Sequence, residues 1–216
     1  MIEKSPFYFD IDKTLINTTQ LVKLLIQEVA YATGKPVENI RQLFAEYSKT
    51  LQDTTDFVHL DCIEFFVEHG FDRESLEAAF NKDAIYQKSV YTDAMLFLSL
   101  LKESTRELGI FSQASEPWQI FKLEKSGLAE KIIERSNWII VPRKMQSQEI
   151  ARLPRGAVLF DDKLEVLEAV RAQRADIRCI WVNRAGVHAA AGEDLDQIDR
   201  FSPELLEQLE DVGTEG

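Results

Sequence analysis

At 216 residues, with 45% hydrophobic and 29% charged side chains, the chain has an ordinary globular composition and enough length for one large domain with an insertion. A formal net charge of −12 excludes a broad nucleic-acid surface, which needs clustered Lys and Arg, and requires that any anionic ligand be met by local positive charge. No apolar run approaches the ~18 residues of a bilayer span, no basic and apolar leader precedes the first strand, and Cys62 and Cys179 lack metal-type spacing, so a cytoplasmic protein with no membrane partner is expected.

The short aromatic run within residues 6–11 reads as a buried strand. From Thr18 to about Phe80 the spacing is helical. Leu21, Leu24, Leu25 and Val29 form one stripe, with Thr18 or Thr19 as its cap and Gly34 as its stop. Ile40, Leu43, Phe44 and Tyr47 mark a second helix over 37–51. Cys62, Phe65, Phe66 and His69 mark a third, and residues 73–80 a fourth. The aromatic residues of this block, among them Phe44, Tyr47, Phe57, Phe65 and Phe66, read as its core. His59, His69 and His188 have no partner pattern and read as structural or surface residues.

Beyond residue 88 the pattern alternates. Helices are expected over 92–104, 117–125, 144–153 and 163–173, and strands over 107–111, 138–141, 157–160 and 177–182. Strands alternating with helices imply βαβ units and a doubly wound parallel sheet, an α/β fold. The division that follows is a core of 1–16 and 89–216 with an all-helical insertion over 17–88. The tail at 213–216 reads as frayed.

The chemistry-bearing residues sit at the carboxyl ends of these strands. Asp10 and Asp12 follow the first, Ser112 and Gln113 the second, and Asp161 and Asp162 the fourth, while Lys144 follows the third. In a parallel sheet these ends share one edge. Asp10 and Asp12, two apart, would project one way if the extended chain continued. Facing carboxylates repel and are costly unless a divalent cation or a substrate proton lies between them. A metal fits among the acids, and a phosphate fits between that metal, Ser112 and Lys144.

Asp10-Ile11-Asp12-Lys13-Thr14, the strand ending at Ser112, Lys144, and Val158-Leu159-Phe160-Asp161-Asp162 resemble, in order, the four motifs of the haloacid dehalogenase (HAD) superfamily, in particular its Mg2+-dependent phosphatases. The helical block at 17–88 sits where that family inserts a C1-type cap. The resemblance implies a Rossmann-like core and hydrolysis of a small phosphomonoester through an aspartyl phosphate. It makes Asp10 the nucleophile and Asp12 the acid and base. Thr14, Ser112, Gln113 and Lys144 would bind the phosphate. Mg2+ would be held by Asp10, Asp12 through its carbonyl, Asp162 and, directly or at one remove, Asp161. Two departures stand out: Lys13 replaces a small residue, and the stretch between Lys144 and Asp162 is short, which leaves Lys122, Lys125 and Arg143 as rivals for the lysine role. A phosphomutase and a catalytically silent relative remain alternatives. A dehalogenase is disfavoured because such relatives lack the second Asp, and a phospho-receiver module because it carries no long helical insertion. The expected partner is a small molecule and the expected assembly a monomer or homodimer.

Overall fold

The structure is a computed structural model that describes residues 4–103, 106–132, 134–186 and 195–211; His188 and the 213–216 tail lie outside these. Six strands make one parallel sheet: β1 (Phe7–Phe9), β2 (Leu108–Gln113), β3 (Trp138–Val141), β4 (Val158–Asp161), β5 (Arg178–Val182) and β6 (Asp196–Ile198). Their order is β3-β2-β1-β4-β5-β6. The order reverses at β1, so the crevice for a ligand lies outside the carboxyl ends of β1 and β4.

β1 is central and buried on both faces. Phe7 and Phe9 point to one side, where the Phe9 ring stacks on Phe160 at 4.8 Å between centroids. Tyr8 points to the other, into a second core with Phe111, Leu159 and Leu167. Its ring lies over Gly109, its register partner on β2; a Cβ there would stand 2.4 Å from that ring. The glycine is therefore what lets an aromatic residue occupy the middle strand.

Between β1 and β2 run α1 (Thr18–Thr33), α2 (Val37–Thr50), α3 (His59–Glu68), α4 (Arg73–Phe80), α5 (Asp83–Gln87) and α6 (Thr92–Glu103). The remaining helices are α7 (Glu116–Ser126), α8 (Ser147–Ile150), α9 (Leu164–Gln173) and α10 (Pro203–Asp211). The cap of α1 is Asn17, whose side chain accepts from the Gln20 N–H, and not Thr18 or Thr19. Gly34 closes that helix at φ 64°, as a left-handed stop requires. The expected helix over 144–153 shrinks to one turn at Ser147–Ile150, which leaves Lys144 in the loop after β3.

The chain enters and leaves α1–α5 along adjacent tracks. Ile16 and Val90 form an antiparallel bridge, the Asn17 N–H donates to the Ser89 carbonyl at 2.8 Å, and the Tyr91 N–H donates to Leu15 at 3.0 Å. A second junction lies opposite. Ser115, just before α7, donates its N–H to the Thr55 carbonyl and its hydroxyl to the Phe57 carbonyl, at 2.8 and 2.6 Å. Trp118 and Phe121 of α7 pack beside it against His59, whose ring stacks on Phe121 at 4.0 Å.

His59 is buried there and its Nδ1 has no hydrogen-bond partner. Burial lowers its pKa, against the opposing charge of Asp61. A folded-state value below the unfolded one means that the neutral ring's contribution is present above about 6.5 and is lost as pH falls through the lowered value. Thermal denaturation should therefore give a wild-type Tm that drops more between pH 7 and pH 5 than that of His59→Phe. Parallel curves would show that this ring does not titrate against the fold.

Candidate functional site

The loop after β1 carries the densest chemistry. Extended conformation stops at Phe9, so the alternation that would send Asp10 and Asp12 the same way does not continue through them. The chain instead curls: Leu15 and Ile16 both donate to the Ile11 carbonyl, and Lys13 donates to Ile16. Lys13 adopts φ 61°, the left-handed region, at a cost of roughly 1–2 kcal/mol for a residue with a Cβ. That strain sits at the crevice, where functional sites commonly store it.

The curl separates the two carboxylates into different partnerships. Asp10 Oδ1 accepts from Ser112 Oγ at 2.8 Å and from Lys144 Nζ at 2.9 Å. Lys144 also donates to Asp161 Oδ2 in a very short contact. Burial alone would lower the Lys144 pKa, but Asp10 and Asp161 hold it above its ordinary value. Asp12 faces α7. Lys122 Nζ lies 2.6 and 2.7 Å from its two oxygens, Gln119 Nε2 donates at 2.9 Å, and Thr18 Oγ1 donates at 2.7 Å. Burial would raise the Asp12 carboxyl, yet Lys122 and these donors bring it below its usual value.

Asp10, Asp161 and Asp162 each offer a carboxylate oxygen, all within 4.8 Å of one another. Asp162 Oδ1 is buried without a partner. Burial, Asp10 and Asp161 together push the Asp162 pKa up to about 7. Burial also raises Asp161, with Asp10 adding to the effect and Lys144 opposing it. Three crowded carboxylates with an orphaned oxygen are a donor set suited to a hard divalent cation such as Mg2+.

A cavity of about 530 Å3 opens above this cluster, floored by Asp10, Asp12, Asp162 and Lys144. Five basic side chains line it (Lys13, Arg41, Lys122, Lys144 and Lys163) against three acidic ones, so the cavity reverses the sign of the whole chain. Gln113 also lines it and accepts from the Lys144 backbone N–H at 3.1 Å. Ser112 and Thr14 are fully buried and neither reaches the lining. The Thr14 hydroxyl has no partner, and its carbonyl accepts from Arg184, which pairs with Asp93 at 2.9 Å. Among the rival cations, Lys125 pairs with Asp83, and Arg143 stands 4.0 Å from Asp53. Of the three, Lys122 is the one paired with a carboxylate of the cavity floor, Asp12.

Gln119 is absent from any reading of the sequence. Gln119, Lys122 and Ser126 form one buried polar stripe of α7, and a polar stripe at helical spacing reads as a solvated face. Phe44 belongs to the core as expected, its ring against Phe66 and Phe80, and Phe57 packs half-buried beside it; both also line the cavity, whereas Tyr47, Phe65 and Phe66 do not.

No family model matches the chain, and neither does any curated protein. Solved structures do. A Burkholderia xenovorans LB400 protein described as a haloacid dehalogenase-like hydrolase is 19% identical, with TM-score 0.64 over 99% of this chain and 96% of that one. A HAD phosphatase from Thermococcus onnurineus is 19% identical, with TM-score 0.60 over 98% and 99%. A 2-haloacid dehalogenase from Pseudomonas syringae pv. Tomato DC3000 is 17% identical, with TM-score 0.57 over 95% and 99%. Phosphatases and dehalogenases thus match about equally well, and what they share with this chain is the six-stranded parallel sheet with its flanking helices: the fold of the haloacid dehalogenase-like hydrolases.

Proposed function

We propose that the chain is a Mg2+-dependent phosphomonoester hydrolase that works through an aspartyl phosphate on Asp10. The observation that carries this reading is the position of Asp10, gripped by Ser112 and Lys144 and within reach of Asp161 and Asp162, at the sheet's switch point beneath a cavity lined by basic groups. Asp10, Asp161 and Asp162 would hold the cation, which when bound offsets their charge and that of a phosphoryl group. Both bonds to Asp10 fall on Oδ1, so Oδ2 is the oxygen open to phosphorus.

Attack by Asp10 forms a P–O bond as the ester P–O bond breaks, and the leaving alkoxide takes its proton from Asp12. Asp12 is held as a carboxylate by Lys122, but an arriving phosphate dianion would raise its proton affinity, so that it takes up a proton from solvent before it protonates the alkoxide. Once the alcohol departs, the Asp12 carboxylate accepts a proton from water as that water attacks the aspartyl phosphate and frees Asp10. Lys144 neutralises charge throughout. The helices α1–α5, joined to the core by two adjacent strands of chain, would serve as a lid that excludes water. We assign them as a C1-type cap over 17–88.

Chelation should abolish turnover of phosphomonoesters, and Mg2+ or Mn2+ should restore it, because the acid cluster offers only oxygen ligands. Full activity after exhaustive chelation would sink the proposal. Release of halide from 2-haloacids with no hydrolysis of any phosphomonoester would replace it with a dehalogenase.

A further inference from the structure

Above its charged floor the cavity is a groove between two helices. From α1, Leu21, Val22, Leu25 and Ile26 face it; from the α2 side, Phe44 and Leu51. These fall at helical spacing on single faces, so the apolar wall is continuous for about 12 Å along α1 from Thr18 to Ile26. Trp118 and Phe57 close the end nearest the junction with α7. Val22, Ile26 and Arg41 also border a second, shallower hollow of about 330 Å3, which carries the groove outward past the exposed Val22 and Val37.

Most donors of the wall are already engaged. Thr18 donates to Asp12, Ser48 to the Phe44 carbonyl and Thr55 to Asp53, at 2.7, 2.9 and 2.9 Å, and Arg41 of α2 donates to Glu38. A sugar in this groove would bury several hydroxyls against Leu and Phe side chains, and each orphaned group costs about tenfold or more in affinity. An alkyl or aryl body suffers no such penalty and removes apolar wall from water. The volume is that of an ordinary small-molecule site.

We infer that the substrate is a phosphomonoester of an apolar alcohol, its phosphate at Asp10 and Lys144 and its hydrocarbon body in the groove between α1 and α2. This rests on the hydrolase reading for its anionic end only.

The test is an n-alkyl phosphate series from ethyl to octyl, with glycerol phosphate and glucose 6-phosphate beside it, assayed with Mg2+ below micelle-forming concentrations. With glycerol 1-phosphate as the glycerol ester, all are esters of primary alcohols, so the chemical step is held nearly constant. The expected result is kcat/KM rising about fourfold per added methylene until the groove is filled, with both polyol phosphates below butyl phosphate. A flat series, or a polyol phosphate above every alkyl ester, overturns the inference. Binding of the matching alkylphosphonates, which cannot be hydrolysed, is measured by calorimetry in parallel. A ladder in phosphonate affinity without turnover of any ester upholds the apolar groove and removes the hydrolase reading; turnover without either ladder does the reverse. Val22→Gln, at a position that is 45% exposed and so tolerant of change, should collapse the octyl-to-ethyl ratio. An undiminished ratio would overturn this placement of the chain.

Discussion

Asp10→Asn should lower phosphomonoester turnover by about 10⁴-fold or more, with the fold intact. An amide oxygen is no nucleophile toward phosphorus, and the carboxylate's charge is also lost from the set that would hold the cation. Asn remains able to accept from Ser112 and Lys144, so circular dichroism and Tm should change little. The informative partner is Asp12→Asn. It removes the proton carrier but leaves Asp10 able to attack, so it should slow both half-reactions by about 10²–10⁴-fold while still permitting a slow build-up of phosphorylated protein. Intact-mass spectrometry after mixing with substrate would detect that adduct. Near-normal rates for Asp10→Asn would mean that the nucleophile is another group.

Lys144→Ala should cost at least about 10²-fold in kcat/KM, because its ammonium is the charge that lets a phosphate dianion approach two buried carboxylates. It should also destabilise the protein. Removing one partner of a buried pair leaves the other without countercharge, at a cost on the order of 3–5 kcal/mol where nothing relieves it. Proton uptake can relieve it. Asp161 is already raised by burial, and without Lys144 it would be raised further; a folded-state pKa above the unfolded one makes stability fall as pH rises through that window. The Tm deficit of Lys144→Ala should therefore shrink as pH falls from 7 toward 5. Lys122→Ala is the control. Lys122 contacts Asp12 and not Asp10, so it should perturb proton transfer more than phosphate binding. A larger loss of kcat/KM in Lys122→Ala than in Lys144→Ala would move the phosphate-neutralising role to α7.

The strand ends were legible because a parallel sheet makes local patterns global. Each apolar run of four to six residues closed by a polar group must deliver that group to the same edge, so Asp10, Ser112, Lys144 and Asp161 come together in space although they are far apart in sequence. What the pattern hides is the direction of side chains beyond the last ladder bond. Asp12 lies past the end of β1, in a curl set by Lys13 in a left-handed conformation, and no spacing rule reaches across such a turn. β6 escaped because it is an edge strand with Ile198 as its one apolar residue, too short for periodicity to register. The roles of Phe44 and Phe57 were hidden for a different reason. An aromatic residue in a helical block reads as core whether a neighbour or a ligand covers it, and these two do both: Phe44 on α2 and Phe57 in the turn before α3 each pack on neighbouring rings and also line the cavity.

The place of β1 in the sheet also bears on how the chain is made. Phe7 pairs with Leu108 on one side and Val158 on the other, so the earliest of the six strands in chain order lies in the middle of the sheet and has both its neighbours far downstream. Until β2 has left the ribosome both edges of this aromatic strand are open, and one of them stays open until β4 follows. The intervening helices pack largely on one another within the insertion, α1 against α2 and α4, and can close before the sheet, which depends on loops spanning most of the chain. Aggregation during synthesis should thus be governed by Phe7–Phe9 rather than by the helical insertion, and occlusion of that segment by a chaperone would matter most in the interval before residues 158–161 are translated.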